Sequence, residues 1–481
     1  MSLIVEGLSI HGPEGCIVRD VGFTARPGEP MVLLGETGSG KSLVAQAVMG
    51  VLPAGLRAEG RILLDGQDLL ALSARERRGL WGRRIAMLPQ EPWSALDPTM
   101  RAFGQVEEVH RLVRGRPAAE AAGAARADLA RLGLATAARR YPFELSGGMN
   151  QRVALAATHA AGAPVLIADE PTKGLDAAMR DTAAALLLGE AREGRILLVI
   201  THDVVLAGYL GGEAVVMLEG QAVESGPLRQ LLAAPRHEYT RRLVAADPAR
   251  WASWPARPVP GGRALVEGRG LHKRLGGREL FGGLTLEVAA GEVLAVSGPS
   301  GCGKTTLGNM LLGLARPDAG EVRRRPDLGP LSFQKLYQDP MAAFPPTGTL
   351  GQALTELLRR HAIPRAPAEA LMRRLRLTEV LLGRRADQVS GGQLQRFGLL
   401  RALLLKPALL FADEATSRLD PVTQQEVMDL LREVVAEQGT ALLVVTHEEA
   451  LAAKVAGRVV HLAPQVVGLS PDGVPEAALA L

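Results

Sequence analysis

A glycine-rich octapeptide ending in lysine and a hydroxyl residue, "GETGSGKS" at 35–42, returns as "GPSGCGKT" at 298–305, an offset of 263 residues. Four shorter pairs follow in the same order. "LPQEP" and "LYQDP" set Gln90 against Gln338, "LSGG" and "VSGG" set Ser146 against Ser390, and "LIADEP" and "LFADEA" set Asp169 against Asp413. Last, "ITHD" and "VTHE" set His202 against His447. These offsets are 248, 244, 244 and 245, so the second copy is shorter by 19 residues (263 less 244) before its "SGG" and nearly in register afterwards. Five landmarks repeated in order require two versions of one domain. The length of 481 residues agrees, because single cores stop growing at roughly 250–300 residues.

Each copy alternates apolar strand-like runs with helical patterns: "PMVLLG" then "SLVAQAVMGVL", or "PVLIAD", "AAMRDTAAALLLGEA" and "RILLVITH". That alternation predicts an α/β fold with a largely parallel sheet and helices on its faces. The N-terminal "MSLIVEGLSI" reads as a first strand and lacks the features of a secretion signal. Segments 101–140 and 351–386, rich in Ala, Arg and Leu, read as inserted helical regions. Between the copies, "DPARWASWPARPVPGG" holds four prolines, which forbid a continuous helix and favour an extended spacer. The expected organisation is a first domain over 1–246, a linker over 247–262 and a second domain over 263–481. The C-terminal "APQVVGLSPDGVPEAALAL" has turn residues and no clear period.

Composition excludes more than it indicates. The 55 basic and 51 acidic residues nearly cancel, so no nucleic-acid or anionic-membrane partner is implied. Cys16 and Cys302 are too few and too far apart for a disulfide framework or a cysteine-ligated metal, which fits a reducing compartment. Apolar runs such as "ILLVI" fall far short of the roughly 18 residues that a transmembrane helix needs. A membrane role would therefore come through partners.

The chemistry follows from the landmarks. Gly-x4-Gly-Lys-Ser/Thr between a strand and a helix makes a loop whose amides cradle phosphates, with the lysine on the β- and γ-phosphates and the hydroxyl on Mg2+. Lys41 with Ser42, and Lys304 with Thr305, fill those roles. Only seven lysines stand against 48 arginines, yet both loops use lysine, as a tight cradle that suits a compact point charge would require. The apolar runs before Asp169 and Asp413 read as buried strands delivering acidic pairs to the C-terminal sheet edge, where open α/β sheets bind ligands. Asp169 and Asp413 can hold Mg2+, and Glu170 and Glu414 then sit where a carboxylate polarises water for attack on a γ-phosphate. A lone strand-end histidine is ordinarily structural. His202 and His447 recur 32 and 33 residues after those glutamates, which favours a functional role.

With phosphate loop, glutamine, "SGG", Asp-Glu and histidine in this order over nearly the whole chain, the sequence resembles a fused pair of ABC-type ATPase domains. The resemblance implies, for each copy, a P-loop NTPase fold with a mainly parallel core sheet, an N-terminal antiparallel β part and an inserted helical subdomain. It also implies two ATP sites shared head to tail. One uses Gly35, Gly38, Gly40, Lys41, Ser42, Gln90, Asp169, Glu170 and His202, with Ser390, Gly391 and Gly392 of the other copy. The second uses Gly298, Gly301, Gly303, Lys304, Thr305, Thr306, Gln338, Asp413, Glu414 and His447, with Ser146, Gly147 and Gly148. Gln90 and Gln338 would also reach Mg2+, and Asp176 and Asp420 match the aspartate that touches the partner domain. Both copies keep the glutamate, so two hydrolytic sites are expected.

Within that family, "LPQEPWSALDPTM", "YPFELSGG" and "PRHEYTRRL" are similar to the ATPases of dipeptide, oligopeptide and nickel importers, with Glu238 replacing a proline. That resemblance implies two transmembrane permease subunits, an extracytoplasmic solute-binding protein, and a peripheral place on the cytoplasmic face of the inner membrane. The alternatives are an exporter ATPase or a soluble tandem ABC protein acting on ribosomes, which normally has a long charged helical linker. The adenine-stacking aromatic of the family falls at His11 and Leu275; histidine can stack and leucine cannot.

Overall fold

The computed structural model describes residues 1–90, 95–172, 177–254, 264–299, 301–416, 419–446 and 448–462. Contacts divide the chain into two compact units, Met1–Asp247 and Pro248–Leu481.

In the first unit, β1 (Leu3–Gly12) and β2 (Gly15–Ala25) form an antiparallel pair, and β3 (Met31–Gly35) leads through the phosphate loop into α1 (Lys41–Met49). The chain continues through β4 (Arg57–Leu64), β5 (Gln67–Asp68), α2 (Ala74–Leu80) and β6 (Ile85–Leu88). The helical insertion follows as α3 (Ala102–Glu108), a π-helical turn at Val109–Val113 and α4 (Ala118–Arg131). Next come α5 (Gly147–Ala161), β7 (Val165–Asp169), α6 (Ala177–Arg192), β8 (Ile196–Thr201) and α7 (Val204–Leu210). The unit closes with β9 (Glu213–Leu218), β10 (Gln221–Pro227), α8 (Leu228–Ala233) and α9 (Glu238–Ala245).

The sheet order is β5-β4-β1-β2-β10-β9-β3-β8-β7-β6. From β9 to β6 every pairing is parallel, while β5, β4, β1 and β2 are antiparallel. The parallel half is apolar because both faces are covered: "MVLLG", "VLIAD" and "ILLVIT" are buried at every position. The sequence therefore reads these strands as unbroken apolar runs. β3 lies between β8 and β9, so the loop after it opens where the connections diverge, the usual ligand position in such sheets.

The second unit repeats the plan. β11 (Ala264–Leu275), β12 (Arg278–Ala289) and β14 (Ala319–Arg324) make an antiparallel sheet in the order β12-β11-β14, while β13 (Val293–Ser297) leads into α10 (Lys304–Leu312). Beyond β15 (Phe333–Leu336), the insertion contributes α11 (Leu350–Arg360) and α12 (Arg365–Arg374). Then come α13 (Gly391–Leu404), β16 (Leu409–Asp413), α14 (Pro421–Gln438), β17 (Ala441–Val445), α15 (Glu449–Val455) and β18 (Arg458–His461). The parallel order is β15-β16-β17-β13-β18, with β13 now in the position that β3 has in the first unit.

Part of the expected spacer is not a spacer. Pro248–Arg250 forms a 3-10 turn, Trp251 is buried in the second unit's core with Leu451 and Val455, and Trp254 N donates to Lys454 O at 2.7 Å. Two indoles carry too much apolar surface to leave in water when a core lies adjacent. Residues 255–263 lie outside the described residues.

Candidate active site

In the first unit the phosphate loop is shaped by its glycines. Gly35 ends β3 so close to β9 that a Cβ would collide with the Met217 carbonyl. Gly40, at φ 90°, turns the chain into α1 where a Cβ would lie 2.6 Å from Val18 Cγ2. Lys41 Nζ donates to the carbonyls of Gly35 (2.9 Å) and Glu36 (2.6 Å) and to Ser39 Oγ at 3.2 Å. The lysine is buried and held across its own loop.

Asp169 is the last residue of β7, 2% exposed, and the chain turns sharply after it. Glu170 adopts the left-handed conformation, φ 48°, while its N–H still reaches the Ile200 carbonyl of β8 at 2.8 Å. A non-glycine residue there costs on the order of 1 kcal/mol, and the neighbouring strand holds it in place. The turn directs the Glu170 carboxylate to His202, with Oε1 2.7 Å from Nδ1, and Thr201 Oγ1 donates to Oε2 at 3.4 Å. Thr201 Oγ1 also accepts from Asp203 N at 3.0 Å, and Asp203 caps α7, which sets the backbone that carries His202. Burial favours the neutral imidazole and is the largest influence. The Glu170 charge and hydrogen bond outweigh it and hold the His202 pKa above its ordinary 6.5, with Lys41 opposing and Asp203 assisting. Lys41, Glu170 and His202 thus share one electrostatic neighbourhood. Ser42 lies in the first turn of α1 and Gln90 just beyond β6, both half-buried.

The second unit repeats this frame with different contacts. Lys304 Nζ donates to the carbonyls of Gly298 (2.7 Å) and Pro299 (3.0 Å), with Gly298, Gly301 and Gly303 all at positive φ. Glu414 again turns left-handed, φ 47°, with its N–H on the Val445 carbonyl at 3.0 Å. Its Oε2 accepts from Gln338 Nε2 at 2.6 Å, and Thr305 Oγ1 donates to Asp413 Oδ1 at 2.8 Å. Thr306 follows in the same helical turn. A hydroxyl and a carboxylate in contact at the loop, both oxygen donors, form a set that fits a hard divalent cation such as Mg2+. His447 and Asp176 lie outside the described residues.

Ser146 caps α5, accepting from Met149 N at 3.3 Å, and Gly147 and Gly148 open the helix. Ser390 caps α13 in the same way from Gln393 N at 3.3 Å, followed by Gly391 and Gly392, and Gln393 completes a capping box that Met149 cannot. Both serines are exposed, so each helix offers its N-terminal amides to solvent, an anion-binding arrangement. Asp420, 9% exposed, caps α14 through Thr423 N at 3.0 Å. His11 is half-exposed near the end of β1, with Nε2 3.6 Å from Glu59 Oε2, and Leu275 is exposed at the end of β11.

Two buried glutamines escaped the motif reading. Gln151 Nε2 on α5 donates to the Pro171 carbonyl, directly after Glu170, and Gln395 Nε2 on α13 donates to the Tyr337 carbonyl at 3.3 Å, directly before Gln338. Each ties its "SGG" helix to the chain neighbour of a candidate site residue of its own unit, Glu170 in the first and Gln338 in the second. The signal was present in the repeat, since both copies read Ser-Gly-Gly-x-x-Gln.

A glycine cradle with an inward lysine, followed by a strand-end Asp-Glu pair, defines each unit as a P-loop nucleoside triphosphatase. The family model described as ABC transporter matches residues 18–173 and 281–417, and the chain belongs to that family, as an ATPase coupled to transport whose domains bind ATP. The peptidoglycan transport ATP-binding protein YejF of Agrobacterium fabrum is 33% identical, covering 93% of this chain and 88% of its own. The glutathione import ATP-binding protein GsiA of Salmonella typhi is also 33% identical, over 98% of this chain and 86% of its own. Among solved structures, one described as RNase-L Inhibitor matches with a TM-score of 0.68 at 21% identity, over 94% of this chain and 87% of that one. At that identity the likeness concerns fold alone. Among the described residues no helix is long and apolar enough to cross a membrane.

Proposed function

We propose that this chain is the energy-coupling subunit of a membrane importer for peptides or peptide-like solutes, hydrolysing ATP at two sites. The observation that carries hydrolysis is the Glu170–His202 pair beside Lys41. Glu170 is turned to accept a proton from an attacking water, and His202 holds the carboxylate in orientation, a role worth about 10²–10⁴ in rate for a general base. Glu414, held by Gln338, has the same role in the second copy. Ser42 with Asp169, and Thr305 with Asp413, are the oxygen donors for Mg2+, which would neutralise charge on the phosphates. Gln90 and Gln338 complete those donor sets. The two exposed "SGG" helix starts suit γ-phosphate recognition, and we assign Ser146 to the ATP seated on Lys304 and Ser390 to the ATP seated on Lys41, as the family resemblance implies.

Import of a peptide-like cargo is supported by two relatives named for peptidoglycan and glutathione, the latter a tripeptide, each similar over nearly the full chain. Nickel and metal-chelate cargo remain within the same proposal through the "YPFELSGG" resemblance. Two permease subunits, an extracytoplasmic binding protein and a peripheral cytoplasmic-face location belong to it. A soluble, ribosome-acting role is the second reading, and the two 33% relatives, named for transport and import, do not favour it. Purification of the full chain from membranes tests the choice. Co-purifying permeases and peptide-stimulated ATP turnover are expected, whereas ribosome association without permeases overturns import. In the same preparation, Glu170→Gln combined with Glu414→Gln should bind ATP and lose at least about 100-fold in turnover. Substantial residual hydrolysis would refute the assignment of the two glutamates.

A further inference from the structure

On β15 a positive charge stands where the matching strand of the first copy has none. Lys335 of β15 pairs in register with Phe411 of β16, at the position where Met87 of β6 pairs with Ile167 of β7. Lys335 is one of only seven lysines in the chain. Its Nζ lies 3.0 Å from Asp413 Oδ2 and 2.9 Å from Asn309 Oδ1, and 5.1 Å from the ring centres of both Phe411 and Tyr337. Its side chain is 9% exposed and that of Asp413 is 2% exposed. The ammonium is therefore built in: an ion pair, a hydrogen bond and two aromatic faces hold it under the phosphate-loop helix α10. Asp413 has its other oxygen, Oδ1, on Thr305 Oγ1. In the first copy, methionine at this place brings no positive charge toward Asp169, and Asn309 is replaced by Gln46, whose buried Oε1 has no hydrogen-bond partner.

We propose that Lys335 is a resident cation of the second ATP site, one that competes with the divalent ion for Asp413 and makes the two sites of this chain unequal in divalent-cation affinity. The inference rests on the reading of both phosphate loops as Mg-ATP sites. A divalent ion at Thr305 and Asp413 must give up the hydroxyl–carboxylate hydrogen bond. It must also share Asp413 with an ammonium 3.0 Å from its second oxygen. Repulsion between like charges at such range, with little water between them, is large enough to weaken the ion by about tenfold or more. Magnesium supply would then set the second site's occupancy while the first stays filled.

The test uses the full chain carrying E170Q and E414Q, so that bound ATP persists. Mn2+ is titrated in the presence of ATP, and protein-bound Mn2+ is read by electron paramagnetic resonance against a protein-free ATP blank. Two bound Mn2+ per chain are expected, with affinities about tenfold or more apart. K335M should bring the weaker site to the affinity of the tighter one, and K335R should leave it weak. M87K should weaken the tighter site, an arm that stands even if K335M fails to fold. Equal affinities in the parent chain, or a weaker site that K335M leaves unmoved in a folded chain, would overturn the proposal. Absence of any ATP-dependent Mn2+ uptake by either copy would instead overturn the nucleotide reading on which it rests.

Discussion

Glu170 and His202, 32 residues apart in the chain, meet through a 2.7 Å contact between Oε1 and Nδ1. Neither side chain reaches the other by reach alone. Glu170 is carried there by a left-handed turn pinned to Ile200, and His202 by a strand end whose next residue caps α7.

The pair should make stability depend on pH in a defined sense. Because the His202 pKa is raised in the folded chain, its contribution is fully present below about 6.5 and is lost as pH rises through the folded value. Chemical denaturation between pH 6 and pH 9 should therefore show the first unit losing stability with rising pH. His202→Gln should flatten that slope, at a cost of about 1.5–3 kcal/mol near pH 6. A slope unchanged by the substitution would refute the protonated pair.

Gln151→Ala should affect both stability and turnover. The substitution leaves the buried Pro171 carbonyl without its donor, which costs about 1–3 kcal/mol. Because that carbonyl follows Glu170, kcat should fall while ATP affinity, measured by direct binding, changes little. Equal loss of both would mark Gln151 as merely a folding residue.

Trp251→Ala tests where the second unit begins. Removing a buried indole from the core shared with Leu451 and Val455 should cost about 3 kcal/mol or more. Urea unfolding followed by limited proteolysis should show the loss in fragments of the second unit, with those of the first unit unmoved.

Much of the fold and of the candidate site is legible in the sequence. The central parallel strands are buried on both faces, so "VLIAD" and "LLFAD" announce themselves as apolar runs ending in acid, and the repeat doubles the signal from each landmark. The unread features depend on proximity between distant segments. No local pattern tells that Glu170 and Glu414 adopt positive φ, since that conformation is imposed by the neighbouring strand. Trp251 reads as part of a proline-rich spacer because prolines advertise their backbone locally, whereas the burial of its indole depends on the distant Leu451 and Val455. Lys335 was visible only as a departure from its own copy, and its meaning required the strand register that sets it against Phe411 and Asp413.

The left-handed glutamates have an evolutionary consequence. Glycine adopts that conformation without penalty and asparagine with little, so a library of this gene selected only for soluble, folded product should drift away from glutamate at 170 and 414. Selection for growth on an imported nutrient should hold both. The same two codons would thus report which pressure a lineage has been under: a copy that has lost its transport duty and kept its fold would be recognisable first at these turns, well before its phosphate loops decay.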